Sequence, residues 1–215
     1  MPNSEAFWSA VHPTDAAAIL ASAAAPWWIA GGWALDLFSG IPFRPHADLD
    51  VGVLRRDVTV VLDSLSTWDV FAARDGRLSR LAAGCVPPLD IHSLWCRPTS
   101  ADPWTIELML DEADGDAWVY RREPRIRRPM STVVRRSPDG LPYLAPEIQL
   151  LYKSKARRER DDADFAQICP LLDEGARTWL RDALELTAPG HDWIAALTAS
   201  MVEPGNPYNH RRTRT

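Results

Sequence analysis

The segment formed by residues 29–53, IAGGWALDLFSGIPFRPHADLDVGV, constrains the fold most, because a Gly-Gly turn, a short helix and an Asp-Leu-Asp strand follow one another in it. Asp48 and Asp50 are two residues apart in DLDVGVL, so their side chains are predicted on one face of a strand, with Leu49 and Val51 on the other. Two adjacent carboxylates repel each other unless a cation neutralises them, and a hard divalent ion with oxygen ligands, usually Mg²⁺, suits such a pair. The segment therefore predicts a strand, a turn, a helix and a second strand that carries a metal site.

The two glycines of this segment predict a tight approach between the first strand and the helix. Gly31 and Gly32 follow the apolar run WWIA, and Gly40 is placed to close the helix as its C-cap. Glycines at such a turn let a phosphate reach backbone N–H groups and the positive end of the helix. Turns also use glycine for conformational reasons alone, and an Asp pair can form the solvated face of an edge strand. The combination of glycines and carboxylates is what favours a phosphate and metal site.

The same segment resembles the signature of a known family once Arg44 and His46 are included. GGWALDL followed by RPHADLDVGV is similar to the motif of the antibiotic nucleotidyltransferases, in the aminoglycoside 2''-adenylyltransferase and lincosamide nucleotidyltransferase group of the polymerase-β-like superfamily. The resemblance is dense over residues 30–53 and extends to about Cys169. It implies an α+β fold, with a mixed, mostly antiparallel sheet flanked by helices and a C-terminal helical segment.

This resemblance also implies the catalytic and metal-binding residues. Asp48 and Asp50 would hold one or two Mg²⁺ ions, and a third acid on a neighbouring strand would ligate a metal ion, accept a proton, or do both. Glu107, in WTIELML, is the predicted third acid, although the family usually has Asp there; Asp90, predicted to share a strand face with His92, is the alternative. An acid among apolar strand residues is costly unless it is paired or metal-bound, which favours Glu107.

The family further implies a nucleotide site made of Gly31, Gly32, Arg44, His46 and Lys153. A nucleoside triphosphate, predicted to be ATP, is then the co-substrate, and AMP passes to a hydroxyl of a small molecule such as an aminoglycoside or lincosamide, with release of pyrophosphate. Simpler interpretations stay open, since Lys153 can belong to a solvated basic helix end and His46 to an ordinary turn. The alternative functions are transfer to protein or tRNA and a non-catalytic binding module of the same fold.

Composition narrows the class of protein without identifying it. The chain has 215 residues, and the predicted organisation is a catalytic domain (1–143), a packed C-terminal helical region (144–203) and a flexible tail (204–215). A net charge of −5 argues against a nucleic-acid partner and suits a small or cationic substrate. Three widely spaced cysteines and no long apolar segment predict a cytoplasmic protein that is not membrane-bound. The family often builds sites near a dimer interface, which leaves a homodimer open.

Local signals predict several further elements. A first helix is expected over residues 15–25 with Thr14 as its N-cap, and a hairpin is expected around Asp75 and Gly76. Pro146 is suited to the first turn of a helix, and a break in the following helical region is expected near Pro170.

Overall fold

The computed structural model describes residues 7–9, 11–156 and 158–199, so the predicted tail (204–215) and residues 200–203 lie outside the described residues. The seven helices named here are α1 (Pro13–Ile19), α2 (Gly31–Ser39), α3 (Val58–Asp63), α4 (Pro146–Ser154), α5 (Glu159–Ile168), α6 (Glu174–Thr187) and α7 (Asp192–Ala199). The strands are β1 (Trp27–Ile29), β2 (Asp50–Leu54), β3 (Asp69–Arg74), β4 (Arg77–Arg80), β5 (Ser93–Arg97), β6 (Ile106–Asp114), β7 (Ala117–Val119), β8 (Arg127–Pro129), β9 (Val134–Arg136) and β10 (Pro142–Leu144).

The strands form one mixed sheet in the order β4-β3-β5-β6-β2-β1-β10-β9, and the far end of β6 pairs with β7, which pairs with β8. Only the β2–β6 and β1–β10 pairs of this described sheet are parallel; the other pairs are antiparallel. This arrangement confirms the predicted α+β fold with a mixed, mostly antiparallel sheet. The parallel β2–β6 pair lies at the centre, because both strands carry apolar side chains into the core.

Side chains along the central strands point alternately into the apolar core and to the opposite face of the sheet. Leu49, Val51 and Val53 are fully buried, and Val51 is opposite Leu108 of β6, which is also fully buried. Asp50, between two of these apolar residues, therefore projects from the other face. The sequence of β2 thus places a carboxylate on the face of the sheet opposite these apolar side chains.

Helices α2 and α4 connect the sheet to the C-terminal helices. Gly40 ends α2 in the left-handed conformation (φ 76°), as predicted, and Pro146 occupies the first turn of α4. Almost every residue of α4 is buried, and apolar residues of the sheet and of α4–α7 belong to one continuous core. The domain boundary predicted at residues 143 and 144 falls within β10, and the division into two units stays a prediction.

Two local expectations need correction. The first helix begins at Pro13, not Asp15, because Pro13 suits the first helical position and the His12 side chain accepts a hydrogen bond from the Thr14 N–H. It also ends earlier than expected, at Ile19. Within the part of the chain that the structure describes, no helix is long and apolar enough to cross a membrane.

Candidate active site

The predicted acids Asp48, Asp50 and Glu107 meet at the start of the central parallel strand pair. Asp50 is the first residue of β2, and Glu107, near the start of β6, is its direct partner in the register. The Glu107 N–H donates to the Leu49 carbonyl oxygen at 2.9 Å, which holds the two strands together at this point. Asp48 precedes Asp50 by two residues, with the fully buried Leu49 between them. The three carboxylates are therefore presented on the same side of the sheet.

Burial and mutual repulsion make this group of acids difficult to ionise. Burial, followed by the charges of Glu107 and Asp48, raises the pKa of Asp50 to about 8. Burial also raises the pKa of Glu107, an effect that the charge of Asp48 reinforces and hydrogen bonds from Ser93 and Trp95 oppose. Buried carboxylates that lie next to one another retain protons unless a cation compensates their charge.

The chemistry of these donors fits a hard divalent cation. Asp48 and Asp50 offer oxygen ligands only, which Mg²⁺ prefers. The Glu107 carboxylate accepts a hydrogen bond from the Ser93 hydroxyl on the neighbouring strand β5. Among the described residues, no three Asp, Glu, His or Cys side chains form a closed metal-binding group. The structure thus provides an Asp pair that could hold a metal ion, with a third acid beside it.

Asp90, the alternative third acid, is located elsewhere. It lies in an exposed turn before β5 and pairs with Arg74 of β3. Strand β5 begins only at Ser93, so Asp90 and His92 do not share a strand face as predicted. The register of the sheet brings Glu107, and not Asp90, beside Asp50.

Gly31 is required by the close approach of α2 to Asp50. Its φ of 64° is in the left-handed region, and a Cβ atom added to it would lie 2.0 Å from Asp50 Oδ2. Its N–H donates to Gln149 Oε1 at 2.8 Å, which links the start of α2 to α4. Any larger residue here would have to displace the Asp50 carboxylate.

Gly32, Arg44 and His46 form the neighbouring part of the site. A Cβ atom on Gly32 would lie 2.4 Å from both Arg44 Nη2 and His46 Nδ1, so these two side chains pack directly on the start of α2. His46 Nε2 lies 2.6 Å from Asp36 Oδ2, and its ring centroid is 4.5 Å from that of Trp33. These contacts anchor the loop that leads to Asp48.

A buried ion network holds Lys153 near this loop. Arg44 donates through Nε and Nη2 to both carboxylate oxygens of Asp164, at 2.7 and 3.0 Å. Lys153 Nζ lies 2.8 Å from Asp164 Oδ2 and 3.3 Å from Asp161 Oδ1. Burial alone would raise the pKa of Asp164, but the hydrogen bonds from Arg44 and Lys153 lower it below its ordinary value. Lys153 is thus a positioned cation and not part of a solvated helix end.

Sequence reasoning missed Gln149, Asp161 and Asp164 as parts of this site. A signal for the two acids was present, because Asp161, Asp164, Phe165 and Ile168 have the spacing of one buried helix face. Acids on such a face are rarely buried without a partner, so the pattern could have indicated an ion network.

Two cavities lie beside these residues. One has a volume of about 180 Å³, and its lining includes Gly31, Asp50, Arg121, Tyr152 and Lys153. A second cavity of about 590 Å³ is lined in part by the loop before α7, and Arg122 borders both. The smaller cavity places a carboxylate, a helix start and several cations around one space, an arrangement that suits a phosphate ester and its metal ion.

Comparison with solved structures gives matches at low sequence identity. The solution structure of the antibiotic-resistance factor ANT(2'')-Ia matches with a TM-score of 0.53 at 17% identity, over 87% of this chain and 95% of that chain. A crystal structure of ANT(2'')-Ia in complex with adenylyl-2''-tobramycin matches with a TM-score of 0.45 at 17% identity, over 87% and 95% of the chains. The lincomycin-bound lincosamide adenylyltransferase LnuA matches with a TM-score of 0.46 at 15% identity, over 71% and 89%. The first of these supports the polymerase-β-like nucleotidyltransferase fold.

Sequence comparison gives the family. No curated protein sequence matches the chain. The model of the aminoglycoside-2''-adenylyltransferase family matches residues 14–168, which include the Gly-Gly turn, the three acids and Lys153. This chain therefore belongs to the aminoglycoside-2''-adenylyltransferase family and is a nucleotidyltransferase of an antibiotic-modifying group.

Proposed function

We propose that this enzyme transfers AMP from ATP to a hydroxyl group of an aminoglycoside-like small molecule, in a magnesium-dependent reaction that releases pyrophosphate. The observation that carries the proposal is the register of the central strands, which sets Glu107 directly beside Asp50 with Asp48 two residues away. Three acids in this arrangement support nucleotidyl transfer and have no evident use in a protein that only binds a ligand.

The acids would divide the chemistry between them. Asp48 and Asp50 would hold the metal ion. When bound, this ion would neutralise the charge of the triphosphate and lower the pKa of the attacking hydroxyl. Glu107 would receive the proton of that hydroxyl, since burial raises its pKa towards that of a useful base. The oxygen of the acceptor then bonds to the α-phosphorus, and the bond to the pyrophosphate oxygen breaks.

The basic residues and glycines would position the triphosphate. Lys153 lies in the same cavity as Asp50 and Gly31, so its ammonium group can neutralise phosphate charge. Arg44 and His46 would act mainly by holding the loop before Asp48, because their polar atoms already contact Asp164, Asp36 and one another. We therefore assign to these two residues a supporting part in nucleotide binding.

The proposed acceptor, an aminoglycoside-like molecule, follows from the family and from the net charge of the chain. Members of the matched family are named for transfer to the 2'' position of aminoglycosides. A net charge of −5 favours the approach of a cationic acceptor.

Calorimetric titration with ATP, GTP, CTP and UTP, with and without Mg²⁺, tests the proposal. We expect magnesium-dependent binding of ATP, which the Asp48→Asn/Asp50→Asn double variant should lose. Pyrophosphate release in the presence of aminoglycosides, and of lincosamides for comparison, then identifies the acceptor.

The chain offers a matched control for the double variant. Asp114 and Asp116 are also two residues apart, but both are exposed: Asp114 ends β6 and pairs with Arg127, and Asp116 lies in the turn before β7. The Asp114→Asn/Asp116→Asn variant removes the same charge and should bind ATP as the wild type does. Absence of triphosphate binding by the wild type, with or without Mg²⁺, would refute the proposed reaction.

A further inference from the structure

Arg121 has no assigned part in the site described above, yet it faces the cavity that contains Asp50. It follows β7 in the loop formed by residues 120–126, and it lines the 180 Å³ cavity together with Gly31, Asp50 and Lys153. The side chain is half-buried, and its guanidinium carbon is 6.0 Å from the centre of the Tyr152 ring. A cation is thus held at the edge of the candidate active site by aromatic packing.

The neighbouring charged groups are already engaged with other partners. Arg122 donates to the Tyr120 hydroxyl and to the Tyr152 carbonyl oxygen, each at 3.2 Å. The Asp111 carboxylate accepts a hydrogen bond from the Tyr152 hydroxyl at 2.5 Å. Within residues 7–9, 11–156 and 158–199, the structure shows no ion pair or hydrogen bond from the Arg121 guanidinium.

Two other cations of the cavity, Lys153 and Arg158, have acidic partners. Lys153 lies between the buried acids Asp161 and Asp164, and Arg158 pairs with Asp161. Among the described residues, Arg121 makes no such ion pair; the Asp111 carboxylate favours its charged form, but burial, followed by the charge of the adjacent Arg122, lowers its pKa. A half-buried cation that makes no hydrogen bond or ion pair is costly, and an anionic ligand would lower that cost.

We propose that Arg121 binds the terminal phosphates of the nucleotide, and pyrophosphate after transfer. This inference rests on the proposed function. The nucleotide phosphates are the anions that must lie near Asp50, and Arg121 shares one small cavity with that residue. A guanidinium group binds two phosphate oxygens at once, so it suits a polyphosphate better than a single carboxylate. An anionic group on the acceptor is the other source of the same chemistry, and the experiment separates the two.

Calorimetry with Mg²⁺ and ATP, AMP or inorganic pyrophosphate tests the proposal on the full chain. We expect Arg121→Gln to weaken ATP and pyrophosphate binding at least about tenfold, the scale of losing a charge-assisted hydrogen bond, while AMP binding stays unchanged. Arg121→Lys keeps the charge but not the two-oxygen geometry, so its affinity should be intermediate. Arg125→Gln is the matched control, because Arg125 lies in the same loop and pairs with Glu123 on the surface.

The outcomes separate this inference from the proposed function. Wild-type binding of ATP and pyrophosphate by Arg121→Gln would overturn the assignment, as would an equal loss of AMP binding in a folded variant. Unchanged nucleotide binding together with a raised KM for the acceptor would also overturn the assignment, and it would show that Arg121 binds the acceptor instead. If Arg121→Gln does not fold, Arg121→Lys decides: wild-type affinity for ATP and pyrophosphate in that variant overturns the assignment. Absence of ATP, AMP and pyrophosphate binding by the wild type would instead contradict the proposed function.

Discussion

Two constraints act on Gly31, its left-handed backbone conformation and its close approach to Asp50. Substitution of Gly31 by alanine, compared with the same substitution of Gly40, separates their effects. Gly31 and Gly40 flank the same helix, α2, and both have positive φ angles, 64° and 76°. A Cβ on Gly31 would lie 2.0 Å from Asp50 Oδ2, whereas a Cβ on Gly40 would meet no atom within 4 Å. Gly40→Ala therefore measures the backbone cost alone.

The expected magnitudes follow from these contacts. A left-handed alanine costs about 1–2 kcal/mol, of which the stiffer unfolded chain offsets about 0.4–1 kcal/mol, so Gly40→Ala should lower the free energy of unfolding by about 1 kcal/mol. Gly31→Ala adds an overpacking cost of about 1–3 kcal/mol, for a loss of about 2–4 kcal/mol. The Asp50 carboxylate must also move by about 1.4 Å to reach an ordinary contact of 3.4 Å. A displacement of about 1 Å at a reacting centre can reduce the rate about 100-fold.

Urea unfolding and pyrophosphate release, measured on the wild type and both variants, check this prediction. Gly40→Ala should keep wild-type activity, while Gly31→Ala should lose it even at temperatures where the variant remains folded. If Gly31→Ala is as stable as Gly40→Ala and as active as the wild type, the close approach of Gly31 to Asp50 does not constrain the site.

Three further predictions concern the acids. The pKa of Asp50 is raised from 3.8 to about 8 in the folded protein, so between these values the folded state binds a proton that the unfolded chain has lost. Without Mg²⁺, the stability of the wild type should therefore fall relative to that of Asp50→Asn as the pH rises through this range. Parallel stability curves from denaturation at several pH values would contradict this. Asp164→Asn removes the buried partner of Arg44 and one of the two acids beside Lys153, and it should cost about 3–5 kcal/mol in chemical denaturation, against at most about 1 kcal/mol for the surface control Asp114→Asn; equal losses would contradict the network. Glu107→Gln should abolish pyrophosphate release and Asp90→Asn should leave it intact; the reverse result would transfer the role of third acid to Asp90.

Much of the site could be predicted from local patterns. The two-residue spacing of Asp48 and Asp50, with buried Leu49 and Val51 between and after them, determines which way the carboxylates point, because side-chain alternation is a property of the strand itself. The start and end of α2 were equally readable, since glycine at a positive φ is a local requirement. These features depend on neighbours in the chain, and so the sequence alone was sufficient for them.

The tertiary structure decided the contacts between distant segments. The register that sets Glu107 beside Asp50 depends on how β6 packs against β2, and these two strands are far apart in the sequence. The same holds for Asp164, which joins Arg44 to Lys153 across three separate segments, and for Arg121, whose position at the cavity follows from the packing of its loop near Tyr152. The sequence by itself determined which groups of the chain could act on a phosphate, and the tertiary structure decided which of them meet. The physical reason is that side-chain direction is local, whereas the burial and pairing of charges depend on the packing of the whole core.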